Sequence, residues 1–259
     1  NGLTVADAAN VTIDAEQTGL TITGQSNTGS SVNVSSNLAA LGSVAFANGT
    51  LAAAELELTA AGVEVASLNA NDVALTVNVA EGAEFADLNG TNNIELVGAG
   101  DVVVADADGL SSLDASNLDG ALEVTTAAAA EINGAVGNNT IDFNVSANLD
   151  FVGQAGDDSV VLGGAAFKAE ANLVLGAGDD TVTFEESLNA GAAVAIEFGD
   201  GNDTLVLEDS VSTANATSFS VVGLENIQLA EDGVVTILAA ISTDGEMVAP
   251  PRVNLRGVV

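Results

Sequence analysis

The chain contains no cysteine, histidine, tryptophan or tyrosine, and each absence removes a class of chemistry. Without cysteine there is no disulfide, no reactive thiol and no zinc-thiolate centre. Without histidine no Ser-His-Asp or Cys-His arrangement can form, and no P-loop is present. Positive charge is nearly as scarce: 3 residues are Lys or Arg against 37 Asp or Glu, a formal net charge of −34. Phosphate backbones are held by cations, so nucleic acid is excluded as a partner. An anionic membrane surface would also repel this chain. No apolar run approaches the roughly 18 residues of a transmembrane helix, so membrane insertion is not expected, and no signal peptide is recognisable. The first residue is Asn1 rather than Met, as in a processed chain or a piece of a longer protein.

What is present is apolar and small. Hydrophobic residues make up 47% of the chain, mostly Ala, Val, Leu and Ile, which is too much for a disordered polyanion. The 8 Phe read as core residues. Acidity by itself has a plain explanation in solubility at high salt, but it also means that the protein favours cations. Enzymatic activity is not expected. Carboxylate pairs can cleave glycosides, and parallel β-helices do host polysaccharide-active enzymes. Such sites add Arg, Lys, His or aromatic sugar platforms to the carboxylates, and this chain has almost none of these.

Short β-type segments recur along the whole chain between Gly, Asn, Asp and Ser. Leu20-Thr21-Ile22, Ser31-Val32-Asn33-Val34, Ala74 to Val79, Thr140-Ile141-Asp142-Phe143, Thr181-Val182-Thr183-Phe184 and Thr204-Leu205-Val206-Leu207 are examples. Their period-2 alternation and β-branched residues are those of half-buried strands. Leu51 to Leu56 and the Ala127 to Ala130 run have helical propensity. Both lie between strand-like segments and are read as coils with small inward side chains.

Glycine–aspartate stretches recur in the second half: Gly98-Ala99-Gly100-Asp101, Gln154-Ala155-Gly156-Asp157-Asp158, Gly176-Ala177-Gly178-Asp179-Asp180 and Gly199-Asp200-Gly201-Asn202-Asp203. The last three align without a gap, their second glycines spaced by 22 and 23 residues. Gly137-Asn138-Asn139, 19 residues before Gly156, is a decayed copy with Asn in place of Asp. Leu113 to Val124 also echoes Leu68 to Val77. A fixed period of this length marks a stacked repeat in which one coil buries its apolar face only against its neighbours. The expected fold is therefore all-β, a parallel β-helix or solenoid of roughly 20-residue coils, with the aspartates in one column at one corner. Degenerate coils or a cap are expected over 1–67, the repeat body over 68–229, and a closing segment with an extended tail over 230–259.

Glycines permit left-handed turns, and carboxylates with turn carbonyls are the oxygen donors of calcium. The candidate metal ligands are Gly156, Asp157, Asp158, Gly178, Asp179, Asp180, Asp200, Gly201, Asn202 and Asp203. Asp101 and the Asn138-Asn139 corner are subsidiary candidates. A cation between successive coils would relieve the repulsion of carboxylates stacked ~5 Å apart.

These units resemble the calcium-binding nonapeptide of the RTX (repeats-in-toxin) family, Gly-Gly-x-Gly-x-Asp-x-apolar-x. Phe198 to Val206 departs from it at Phe198, Leu175 to Thr183 at Leu175, and Gly153 to Val161 at Gln154. With the Leu113-Asp114-Ala115-Ser116 unit and the closing Val222-Gly223-Leu224-Glu225-Asn226-Ile227-Gln228-Leu229, the chain is similar to RTX-like surface-layer proteins of bacteria. The resemblance implies a secreted, calcium-dependent β-helical protein of the cell surface. RTX arrays set two nonapeptides per coil, whereas this chain has one, which points to a wider helix with a single calcium column.

The expected function is thus structural: a secreted, calcium-binding subunit that associates with copies of itself in a head-to-tail lattice or filament, with cell-surface polysaccharide as a further candidate partner. A calcium-binding adhesin, or an RTX segment of a larger secreted protein, is the alternative. The tail Ala249 to Val259 holds both prolines and both arginines of the chain and would dock on the acidic body of a neighbour. Lys168 reads as a solvated loop residue. The sequons at Asn10, Asn48 and Asn215 arise readily by chance in so Asn-, Ser- and Thr-rich a chain.

Overall fold

The computed structural model describes residues 3–6, 10–14, 19–23, 30–47, 51–91, 93–128, 130–144, 147–163, 167, 169–208, 212, 216–229, 234–237, 240–242 and 253–256. Every regular element among them is a strand. The chain divides into two compact units, Asn1–Val124 with Ala130–Val136, and Thr125–Ala129 with Gly137–Val259. Each is a parallel β-solenoid.

In the first unit one sheet runs through Leu3–Ala6, Gly19–Thr23, Ala40–Ala47, Val63–Asn69, Ala83–Phe85, Val102–Val104 and the start of Leu122–Thr126. The other runs through Asn10–Ile13, Ser30–Ser36, Leu51–Leu58, Ala74–Val79, Ile94–Gly98, Ser112–Leu118 and Ala130–Asn133. The helical propensity of Leu51 to Leu56 loses to the stack: Leu51–Leu58 is a strand whose Ala54, Leu56 and Leu58 are buried. The echo between Leu68 and Leu113 does not survive as structural equivalence. Leu68 lies on the first sheet, while Leu113 is in register with Ile94, and Ile94 with Leu75, on the second.

In the second unit one sheet stacks Asn139–Phe143, Ser159–Leu162, Thr181–Phe184, Thr204–Leu207 and Asn226–Leu229. The other stacks Leu149–Val152, Glu170–Ala177, Ala193–Asp200, Ser218–Val222 and Ala240–Ser242. Strand burial alternates strictly, as in Glu170–Ala177, where Ala171, Leu173 and Leu175 point inward. Parallel pairing then superimposes like on like. Phe143, Leu162, Phe184, Leu207 and Leu229 form one column and Phe151, Leu173, Ile196 and Val221 another. All 8 phenylalanines are buried. Phe143 meets Phe167 edge-on at 6.4 Å and Phe184 meets Phe219 at 5.8 Å, contacts worth about 0.5–1.5 kcal/mol each beyond their buried area.

The expected free tail is partly folded back: Val253–Arg256 pairs antiparallel with Val234–Ile237. Lys168, Arg252, the rest of the tail and the sequons at Asn48 and Asn215 lie outside the described residues.

Tight stacking at the corners depends on bare glycine. A Cβ on Gly178 would stand 2.0 Å from Gly156 O, and one on Gly201 1.8 Å from Gly178 O. Gly178 also has φ of +148°. Gly178→Ala should therefore destabilise the second unit by about 1–3 kcal/mol. Gly19→Ala should be neutral or slightly stabilising, because a Cβ there meets nothing within 4 Å. Thermal or urea unfolding of the two variants against the parent chain checks the contrast.

Candidate functional site

The corner preceding the strands Asn139–Phe143, Ser159–Leu162, Thr181–Phe184, Thr204–Leu207 and Asn226–Leu229 brings the glycine–aspartate units of the second unit together. Ser159, Thr181 and Thr204 are register partners, so the residues just before them superimpose from coil to coil. Two consecutive positions give two different columns.

The first position is exposed and holds Asn138, Asp157, Asp179 and Asn202. The first three side chains accept the main-chain N–H of the following coil: Asp157 N donates to Asn138 Oδ1 at 3.0 Å, Asp179 N to Asp157 Oδ1 at 2.8 Å, and Asn202 N to Asp179 Oδ1 at 3.0 Å, whereas Asn202 Oδ1 accepts from the side chain of Asn226 at 3.0 Å. Asp101, in the first unit, does the same for Ala121 N at 2.8 Å.

The second position is buried and runs the other way. Here each side chain accepts from the preceding coil. Asn139 N donates to Asp158 Oδ1 at 2.8 Å, Asp158 N to Asp180 Oδ1 at 2.8 Å, Asp180 N to Asp203 Oδ1 at 2.9 Å, and Asp203 N to Glu225 Oε2 at 2.9 Å. Asp158, Asp180 and Asp203 are 1%, 1% and 0% exposed. Their Oδ1 atoms are satisfied, whereas Oδ2 of all three is buried without a hydrogen-bond partner. A buried carboxylate normally has its oxygens paired, because an unmet acceptor or charge costs on the order of 1–3 kcal/mol or more.

The charge state follows from this burial. Desolvation is the main cause in each case. It lifts Asp158 from 3.8 to about 7, with the Asn139 hydrogen bonds pulling back and Asp180 and Asp157 pushing further up. It lifts Asp180 to about 6, against the hydrogen bond from Asp158 and reinforced by Asp203, Asp157 and Asp179. Asp203 is raised as well, by burial and then by Glu225 and Asp179.

The ten candidate ligands thus separate. Asp158, Asp180 and Asp203 form the buried column. Asp157, Asp179 and Asn202 form the exposed one. Gly156, Gly178 and Gly201 supply the close approach between coils. Asp200 is exposed and enters through its carbonyl, which accepts Gly178 N at 2.9 Å. Among the described residues, no three Asp, Glu, His or Cys side chains converge on one metal position. The column offers one carboxylate per step, so carbonyls must complete any coordination shell. Leu175 O is one such group on the same side of Gly153: a Cβ there would meet both Asp158 Oδ2 at 1.9 Å and Leu175 O at 2.3 Å.

One participant, Glu225, escaped the analysis of the sequence, and one subsidiary candidate, Asn139, has a larger part than its place there. Glu225 closes the buried column, and its 22-residue distance from Asp203 was the available signal. Asn139 is fully buried at the other end and is more than a decayed aspartate. Comparison with protein-family models, with curated proteins and with solved structures found no match to this chain.

A carboxyl whose folded pKa lies above its unfolded value adds stability in full below the unfolded value and loses it as pH rises through the folded one. With metal chelated, the melting temperature of this protein should therefore fall as pH rises from about 4 through 7. The Asp158→Asn, Asp180→Asn double variant should show a shallower fall. Melting curves across that range in chelator measure both.

Proposed function

We propose that this chain is a structural protein of the cell exterior, ordered by calcium and assembling with copies of itself into a surface layer or filament. The observation that carries the reading is the row of three buried, unpartnered carboxylate oxygens at Asp158, Asp180 and Asp203. Each needs a positive partner, and the chain has almost no basic side chains to provide one. The surroundings are carboxylate and carbonyl oxygens with no nitrogen or sulfur ligand, the donor set of a hard cation held at about 2.3–2.6 Å. Millimolar extracellular calcium would fill such sites on secretion and set the coils.

Assembly follows from the same electrostatics. Chains of net charge −34 repel one another, so self-association depends on divalent cations, and Asp157 and Asp179 present carboxylates at the surface beside the column. The RTX-like motif agrees with a calcium-dependent role outside the cell.

Calcium should raise the melting temperature at pH 7–8, a site at 100 times its dissociation constant adding about 2.7 kcal/mol. Unchanged circular dichroism and melting with calcium would remove it from the account. Negative-stain electron microscopy at about 5–10 mM calcium, set by the weak end of extracellular sites, should show sheets or filaments that chelator disperses. Dispersed particles in both conditions would discard assembly while leaving cation binding to the melting result.

A further inference from the structure

Asn139 and Asp158 occupy equivalent places one coil apart, yet their outer atoms meet the next coil in opposite ways. Asn139 Nδ2 donates to Gly153 O at 2.9 Å, to Gly137 O at 3.1 Å and to Asp158 Oδ1 at 2.8 Å. Three oxygens thus converge on one nitrogen in a fully buried site. The strand register carries each of them forward by one coil. Val152 pairs with Val174, so the counterpart of Gly153 O is Leu175 O. Gly176 pairs with Gly199, so the next counterpart is Phe198 O. The counterparts of Gly137 O are the carbonyls of Gly156 and Gly178, and those of Asp158 Oδ1 are Asp180 Oδ1 and Asp203 Oδ1.

Amide NH2 and carboxylate oxygen are nearly the same size, so Asp158 Oδ2 stands where the pattern puts a donor. It shares with Leu175 O the space over the bare Cα of Gly153 and has no hydrogen-bond partner. The amide at 139 therefore does from within the chain what an external positive species must do at 158 and 180.

We infer that Asn139 is the built-in terminator of the cation column: its side-chain amide takes the position that a bound divalent cation takes at each following coil, and the column begins at Asp158. This rests on the cation-binding reading above and adds which residue sets the number of sites. The orientation of the amide is fixed by the coil. An asparagine placed at 158 keeps its oxygen for the N–H of Asn139, which Asp158 Oδ1 already accepts at 2.8 Å, and that leaves its nitrogen for the carbonyls.

The test uses the full chain, with calcium as the probe. Asn139→Asp should bind one more calcium per chain than the parent, by titration calorimetry and equilibrium dialysis, and should melt lower in chelator. Asp158→Asn should bind one fewer and, in chelator at pH 8, melt higher by at least ~2–4 °C, because Nδ2 now donates to Leu175 O. If Asn139→Asp proves too unstable to purify, Asp158→Asn alone decides. Calcium binding by the parent with unchanged stoichiometry in both variants overturns the terminator role and leaves the cation reading standing. A parent chain that binds no calcium overturns both. Lower melting of Asp158→Asn in chelator also overturns the inference, since an amide would then be unable to replace the cation.

Discussion

Each corner turn of the second unit points main-chain N–H groups along the stack, and no strand partner reaches them. The adjoining coil answers with a side-chain oxygen. This single contact, repeated from Asn139 to Glu225, explains why a short acidic side chain recurs at a fixed place in the sequence. Aspartate is the shortest side chain that presents an acceptor at that distance while its second oxygen still faces inward. Where the chain can reach from solvent instead, glutamate serves, as at Glu225, which is exposed. The glycines follow from the same demand, because coils close enough for Asp to bridge leave no room for a Cβ at Gly178 or Gly201.

Repetition turns this local convenience into an electrostatic problem. Parallel stacking places like on like, so a carboxylate that is tolerable once becomes a buried file of three. A proton or a cation can neutralise it, and which of them prevails depends on the medium. The core supplies the rigidity that holds the file together. Columns of Phe, Leu, Ile and Val fill the interior on both sheets, and a close-packed interior does not yield by ångströms to let charges separate.

The fold class and the corner column were legible in the primary structure because both are periodic. Gly156, Gly178 and Gly201 announce the coil length, and Val182-Thr183-Phe184 shows the alternation of a strand lying on a core. What was not legible concerns register and direction. Leu68 and Leu113 look alike, yet they lie on different sheets. An alternating pattern matches itself after any shift of two residues, and only the pairing of Leu113 with Ile94 resolves it. Nor does the pair Asp157-Asp158 reveal that its two carboxylates point oppositely, one out toward the next coil and one inward to the last. That difference arises in the corner turn that precedes Ser159, where neither residue belongs to a strand. Asn139 was visible as a departure from pattern and as a subsidiary ligand candidate, not as a donor. Its value is chemical, since an amide carries hydrogens where a carboxylate carries lone pairs.

The opposed directions of the two columns bear on how such a chain can grow. A middle coil gives and receives the same bonds on each of its faces, so it is indistinguishable to its neighbours from any other middle coil. A duplicated stretch of one coil's length, inserted in frame between Asp158 and Asp180, would find every acceptor and donor already in place. Copy number in this half of the molecule is therefore free to drift by internal duplication, while the two ends stay marked by a different residue, an amide at Asn139 and a glutamate at Glu225.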